Sequence, residues 1–341
     1  MRYFKQLAVI GGISFFLLSM VGCGGSSSGG ASSSSSDKTY QLSLASQVAE
    51  HDNDRHTIKL RAFKEEVESR TSGKVTIRLH YAAELGSERE YVEMLQTGDL
   101  PLATMASSVM AGFTDVCKFL EIPMLFESED QLFKFTRSDF AYKRLEGLEK
   151  IGIIGLGVSP AGSRNLLTVP SKPVKRLADL KGLKIRVMET PIHIEAMGLL
   201  GAQPTPMPYP ECYQSMQTGV IDGMENEVTT YIAMRFYEVA PNYSQINWLM
   251  LAHLFVGSKG ELEKLPADYQ TIIKEAGRKA ADKSAEVGIA YDKVHGRAAA
   301  TEKGANIIDV DVNEFRKVLA PMLVKHKDLI GQDVIDWIAA N

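Results

Sequence analysis

The residue best placed by its sequence context to do chemistry is Arg186, in Leu183-Lys184-Ile185-Arg186-Val187-Met188. Leu183, Ile185 and Val187 alternate with Lys184, Arg186 and Met188, the period-2 pattern of a strand with one face in a core. Thr190-Pro191 then signals a helix start, with Thr as N-cap and Pro at the first helical position. Arg186 is thus expected near the carboxyl end of a strand that feeds a helix, where open α/β sheets bind ligands. A planar, permanently charged fork there suits a carboxylate. A solvated arginine on an edge strand would give the same local pattern.

Other chemistry is poorly represented. The chain has no phosphate-binding loop ending in Lys-Ser or Lys-Thr and no paired-histidine metalloprotease motif. Gly157-Val158-Ser159-Pro160-Ala161 fails the nucleophile-elbow pattern at its last position, and Gly25-Ser26-Ser27-Ser28-Gly29 meets it only inside a low-complexity run. His51-Asp52-Asn53-Asp54-Arg55-His56 holds potential metal ligands at a spacing that fits neither zinc nor an EF-hand, and reads as a polar helix entry. No metal, cofactor or catalytic triad is expected.

The elements around Arg186 form an α/β pattern. Tyr40 to Leu44 alternates as a first strand. Asp54 or a near neighbour can cap a helix through Arg70, which Ser72-Gly73 stops. Val75 to Tyr81 is a strand, about Ser87 to Thr97 a helix, and Leu100 to Met105 an apolar strand, so parallel pairing is expected. Glu90 to Gly98 partly recurs as Glu211 to Gly219, each downstream of a Gly-led strand, which points to two similar α/β lobes. Ile151 to Val158 reads as a central strand. Pro266 opens a helical stretch to about Lys303, roughly 50 Å if unbroken, with Gly277, Gly288 and Gly296 as expected bends. A strand at Asn306 to Val310 and helices after Asp311 and near Asp333 close the chain.

A length of 341 residues allows two domains with a sizeable core. Formal net charge is −4, and −6 without residues 1–22, which carry Arg2, Lys5 and no acids; nothing here favours a nucleic-acid partner. Residues 1–22 read as a lipoprotein signal peptide, because the apolar run is too short for a spanning helix and ends in Met20-Val21-Gly22-Cys23, which resembles a bacterial lipobox. Cys23 is then the lipidation site. Residues 23–38 form a Gly/Ser tether, so membrane contact is expected by lipid anchor only. Cys117 and Cys212 either pair or stay as buried thiols.

From Tyr40 to about Ile335 the chain resembles the solute-binding subunit of a tripartite ATP-independent periplasmic (TRAP) transporter, dicarboxylate-binding type. The resemblance rests on Glu84-Leu85-Gly86, Gln96-Thr97-Gly98, Ile122-Pro123-Met124-Leu125-Phe126, Asp179 to Val187, Gly201-Ala202-Gln203-Pro204, and Glu211 through Asp222-Gly223-Met224-Glu225-Asn226. It implies a two-lobed, periplasmic-binding-protein-like (type II) α/β fold with a hinge and a long helix spanning both lobes. Residues 39–163 and 252–291 would form lobe I, and 164–251 with 292–341 lobe II. The lobes would close over a C4-dicarboxylate or sugar acid and deliver it to the membrane permease subunits. Arg186 matches the family's carboxylate-gripping arginine. Arg164, Asn226, Glu88, Tyr209 and Gln47 match further ligand-binding positions.

Two uncompensated arginines, Arg186 and Arg164, would then hold the empty cleft open until an acid arrives. Asn226 is followed by Glu227 rather than proline. Trp248 and Ala106 stand where the sialic-acid branch has a histidine and an acid, so the resemblance points away from sialic acid. Trp248 either stacks against a flat ligand or packs in the core or hinge. The alternatives are an aromatic or keto monocarboxylate ligand in the same receptor role, a secreted hydrolase, or a structural lipoprotein.

Overall fold

The computed structural model describes residues 38–341. The expected signal peptide, Cys23 and the tether as far as residue 37 lie outside the described residues. The first elements follow their local signals closely. Strand β1 (Tyr40–Ala45) buries Leu42 and Leu44. Helix α1 (Arg55–Arg70) is capped by Asp54, whose Oδ1 accepts from the backbone N–H groups of His56 (2.8 Å) and Thr57 (3.3 Å). It gives way to β2 (Val75–His80) through Ser72 and Gly73, both at positive φ. Helix α2 (Glu88–Thr97) starts with a Ser87–Glu90 capping box and ends at Gly98, whose φ of 87° suits a residue without Cβ. Strand β3 (Leu102–Ala106) is wholly buried.

The same order recurs. Strand β4 (Ile153–Thr168) leads into β5 (Lys184–Val187), the helix Pro191–Leu199, β6 (Gln203–Pro206), the helix Cys212–Gln217 and β7 (Gly223–Asn226). β8 (Asn242–Ser258) and β9 (Asn306–Ile308) complete one sheet of order β2-β1-β3-β8-β4-β7-β5-β6, with β9 beside β8. β1 is parallel to β2 and β3, and β5 is parallel to β6 and β7. The internal repeat is therefore real at the level of topology. The strand before the second repeated helix is β6, however, and β5 corresponds to β1 rather than to β2.

What joins the halves was only half legible. The expected central strand Ile151 to Val158 is the start of a 16-residue strand, and the 17-residue β8 has no counterpart among the expectations. These two run antiparallel along most of their length, with register shifts at Gly155/Gly157, Pro160/Gly162 and Arg164/Leu166. β3 pairs with the last residues of β8, and β7 with the last residues of β4. Each long strand thus serves both lobes, and the irregularities fall in the stretch shared by them.

The long helix is present as Ala267–Tyr291, a π-helical segment Asp292–Gly296, and Arg297–Glu302. Its first part packs on α1 and β4, and its last part on β9 and the helix Val228–Ala233, so it runs from one lobe to the other. Gly277 and Gly288 are not bends. A Cβ on Gly277 would lie 2.8 Å from the Leu156 carbonyl oxygen, and one on Gly288 would lie 2.5 Å from Arg55 Cγ. Both glycines permit close packing, and the helical irregularity sits at the π segment, which ends at Gly296, the third of the glycines expected to bend the helix.

Cys117 and Cys212 are separate buried thiols. Asp311 caps the helix Val312–Leu319 as expected. In the last helix, Trp337 meets Phe135 edge-on with ring centroids 5.0 Å apart, and Asp333 pairs with Arg144 at 2.6 Å.

Candidate functional site

Arg186 lies on β5 one residue before its end, and Thr190 caps the following helix by accepting from the His193 N–H at 3.2 Å. The side chain is only 3% exposed. Its Nε donates to the Met207 carbonyl at 3.0 Å, its guanidinium lies 5.6 Å from the Tyr209 ring centroid, and its Nη1 has no hydrogen-bond partner. Among the described residues no carboxylate is within ion-pair distance. A buried guanidinium held in this way costs several kcal/mol unless an anion joins it.

Arg164 lines the same cleft from β4 and is equally buried, but its surroundings differ. Its Nε donates to Glu225 at 2.5 Å and its Nη2 to the Glu225 carbonyl at 2.6 Å. Its Nη1 donates to Asn226 Oδ1 at 2.8 Å and to Glu227. Burial works against its charge, but Glu225 and Glu227 outweigh that and hold it ionised. Conversely, burial disfavours an ionised Glu227, yet Arg164 and then His56 bring its carboxyl down to about 2. The expected pair of uncompensated arginines is thus corrected to one, because the acids flanking Asn226 neutralise Arg164.

The remaining expected residues divide cleanly. Asn226 Nδ2 donates to the Tyr209 hydroxyl at 2.8 Å, while its Oδ1 also accepts from the Glu227 N–H at 2.9 Å. Both side chains line the cleft, as do Glu88 from the start of α2 and the partly buried Gln47 just after β1. Glu88 accepts from the Ala106 N–H at 3.1 Å, and burial pushes its carboxyl up to about 7. Trp248 is corrected: it is fully buried, packs edge-on against His193 at 5.0 Å, and is absent from the cleft wall. On β8 the cleft is lined by Leu251 and His253, while Trp248 is directed into the core.

Three residues not singled out from sequence belong to the site. His56, in the first turn of α1, meets His253 edge-on at 4.2 Å. His56 Nε2 lies 3.8 Å from Glu227 and His253 Nε2 lies 3.5 Å from Glu88. Burial, then the neighbouring His56, keeps His253 well below the usual imidazole range and therefore neutral. The third is Glu227 itself. His56 lay within the polar stretch at the entry to α1, but nothing local separates it from His51. The cleft bounded by these side chains has an empty volume of about 770 Å³, counting its open mouth.

Two α/β lobes on a shared pair of long strands, with a cleft between them that holds a buried arginine free of any acid partner, define a binding protein of the hinged periplasmic class. The chain belongs to bacterial extracellular solute-binding protein family 7, whose model matches residues 45–328. A solute-binding protein from Sulfitobacter sp. (strain NAS-14.1) is 38% identical over 226 residues, 66% of this chain and 68% of its own. One from Verminephrobacter eiseniae is 29% identical over 299 residues, covering 87% and 89%. Among solved structures, a TRAP periplasmic solute binding protein from Bordetella bronchispeptica with density assigned to pantoate superposes at a TM-score of 0.81 with 27% identity. That match covers 88% of this chain and 98% of the other. One from Citrobacter koseri with bound D-glucuronate superposes at 0.79 with 26% identity, covering 87% and 99%. The protein is accordingly an extracytoplasmic solute receptor of the TRAP type, as the motifs around Arg186 imply.

Proposed function

We propose that this receptor binds a small organic acid in the cleft between its lobes, with Arg186 as the carboxylate anchor, and delivers it to a TRAP permease. The carrying observation is the buried Arg186 guanidinium, which has one N–H group without a partner and no acid beside it. Pantoate, D-glucuronate and, in a Sulfitobacter protein 25% identical, β-D-galacturonate occupy the corresponding proteins. A Shewanella loihica relative, 26% identical, is a C4-dicarboxylate-binding protein. Asn226, Tyr209, Glu88 and Gln47 would orient the rest of the ligand, and Arg164 would act as a structural neighbour. With Trp248 in the core, the aromatic-ligand alternative loses its stacking platform.

The lobe boundaries would lie within β4 and β8, near Arg164 and Leu251, where the register shifts leave the ladder easiest to bend. Thermal-shift screening of the soluble domain against sugar acids and C4-dicarboxylates tests this reading: a ligand at a hundred times its Kd should add ~2.7 kcal/mol of stability. If no acid stabilises the protein, the reading of the cleft as an organic-acid site is wrong. Anchoring at Cys23 is a separate part of the proposal, supported by the lipobox and the Gly/Ser run. Cys23→Ser should move the protein from the membrane to the soluble fraction, and unchanged membrane retention would refute it.

A further inference from the structure

The charges fixed in the cleft limit the ligand further than the presence of Arg186 does. Arg164 and Arg186 are matched in number by Glu225 and Glu227, and all four are buried at 3% exposure or less. Glu88, also buried, adds a third carboxyl to the same wall. An entering ligand therefore finds one buried guanidinium whose donors are not already engaged by acids; Arg89, which also lines the cleft, is exposed and paired with Glu93 at 3.5 Å, and His56 faces Glu227. Ser108 Oγ has no partner, Asn226 and Tyr209 are joined to each other, and Glu88 stands beside the neutral His253. A second carboxylate on the ligand placed beside Glu227 would meet a like charge, which raises the cost of burying both.

We infer that the cleft selects organic acids with a single carboxylate and several hydroxyl groups, and that Glu227, by consuming Arg164, is the residue that excludes dicarboxylates. The inference rests on the proposed role of Arg186. It differs from it in assigning the second arginine to the protein's own acid rather than to the ligand. Polyhydroxy monocarboxylates satisfy both parts of the wall: one charge for Arg186, and hydroxyls that donate to Glu88 and accept from Ser108 or Asn226.

The test is calorimetric titration of the soluble domain with D-gluconate, D-glucuronate, D-glucarate, succinate and D-glucose. D-Glucarate keeps the six-carbon polyol skeleton but carries a carboxylate at each end. The better of the two monocarboxylates is expected to bind at least about a hundredfold more tightly than D-glucarate or succinate, with D-glucose undetectable. If D-glucarate or succinate binds within about tenfold of it while Arg186→Ala still abolishes that binding, selection for a single carboxylate is overturned and the receptor reading survives. If Arg186→Ala leaves all binding unchanged, Arg186 is not the carboxylate anchor and the proposed site falls. Glu227→Gln, checked for a native unfolding transition, should close the gap by about tenfold or more through tighter dicarboxylate binding. A folded Glu227→Gln protein with the wild-type preference would remove Glu227 from the role. The wild-type panel decides the first point even if that variant does not fold.

Discussion

Arg164 and Arg186 line one cleft from neighbouring parts of one sheet, are buried to the same degree, and have opposite electrostatic surroundings. Arg164 is saturated by Glu225, Glu227, Asn226 and a backbone carbonyl. Arg186 leans on a carbonyl and an aromatic face and keeps an N–H group unused. A buried ion pair is expensive to break because the partner stays behind uncompensated, whereas a buried lone charge is already paid for and awaits a partner. Identical side chains at similar depth can therefore have different work: Arg164 is tied to Glu225 and Glu227, and Arg186 is the one proposed to take the solute's carboxylate.

The largest expected effect separates them by stability. Arg164→Ala should lower unfolding free energy by about 3–5 kcal/mol, since Glu225 and Glu227 would be left buried without their cation. Arg186→Ala should scarcely lower it. Chemical denaturation of both variants without ligand is the measurement, and equal losses would abolish the distinction. Binding reverses the order. Arg186→Ala should lose ~2–5 kcal/mol of affinity, on the order of thirty-fold to several-thousand-fold in Kd, with Arg186→Lys in between because it keeps the charge but not the fork.

A smaller effect distinguishes two acids of the same cleft by pH. Glu227, held at about 2 in the folded protein against about 4.5 when free, contributes stability that is complete above about pH 4.5 and lost as pH falls toward 2. Glu88, raised to about 7, contributes in the opposite sense: its share is complete below about pH 4.5 and is lost as pH rises through 7. Each amounts to at most about 3 kcal/mol. Unfolding measured across pH 3 to 8 should show Glu227→Gln with a flatter acid limb and Glu88→Gln with a flatter decline toward neutrality. The smallest effect concerns Trp248. Trp248→Phe should bind the solute within about twofold of wild type, because the ring is fully buried and forms no part of the cleft wall, and its fluorescence in a Trp337→Phe background should be silent to ligand. A quench on binding would return it to the site.

Much of this was legible in the chain. The alternation through Leu183 to Val187 and the Thr190-Pro191 start placed Arg186 at a strand end before a helix, because strand period and helix capping are satisfied by residues a few positions apart. The caps at Asp54 and Ser87, the stop at Gly98 and the repeated helix are local in the same way. The resemblance carried Asn226, Tyr209, Glu88 and Gln47 into the cleft wall, but a motif transfers a position and not a partner.

What the sequence determined by itself was which residues lie on one face of each element and where each element ends, since backbone hydrogen bonding and side-chain period fix those within a few residues. Tertiary structure alone decided which faces meet. β8 finds its ladder on β4, so Trp248 goes to the core while Leu251 and His253 reach the cleft. His56 and His253, 197 residues apart in the sequence, bring their ring centroids within 4.2 Å. The β4–β7 register sets Asn165 opposite Asn226 and so brings Arg164 to Glu225 and Glu227. An arginine reads the same in sequence whether an acid sixty residues away neutralises it or not, because Coulomb energy depends on separation and burial in space, and strand register supplies both.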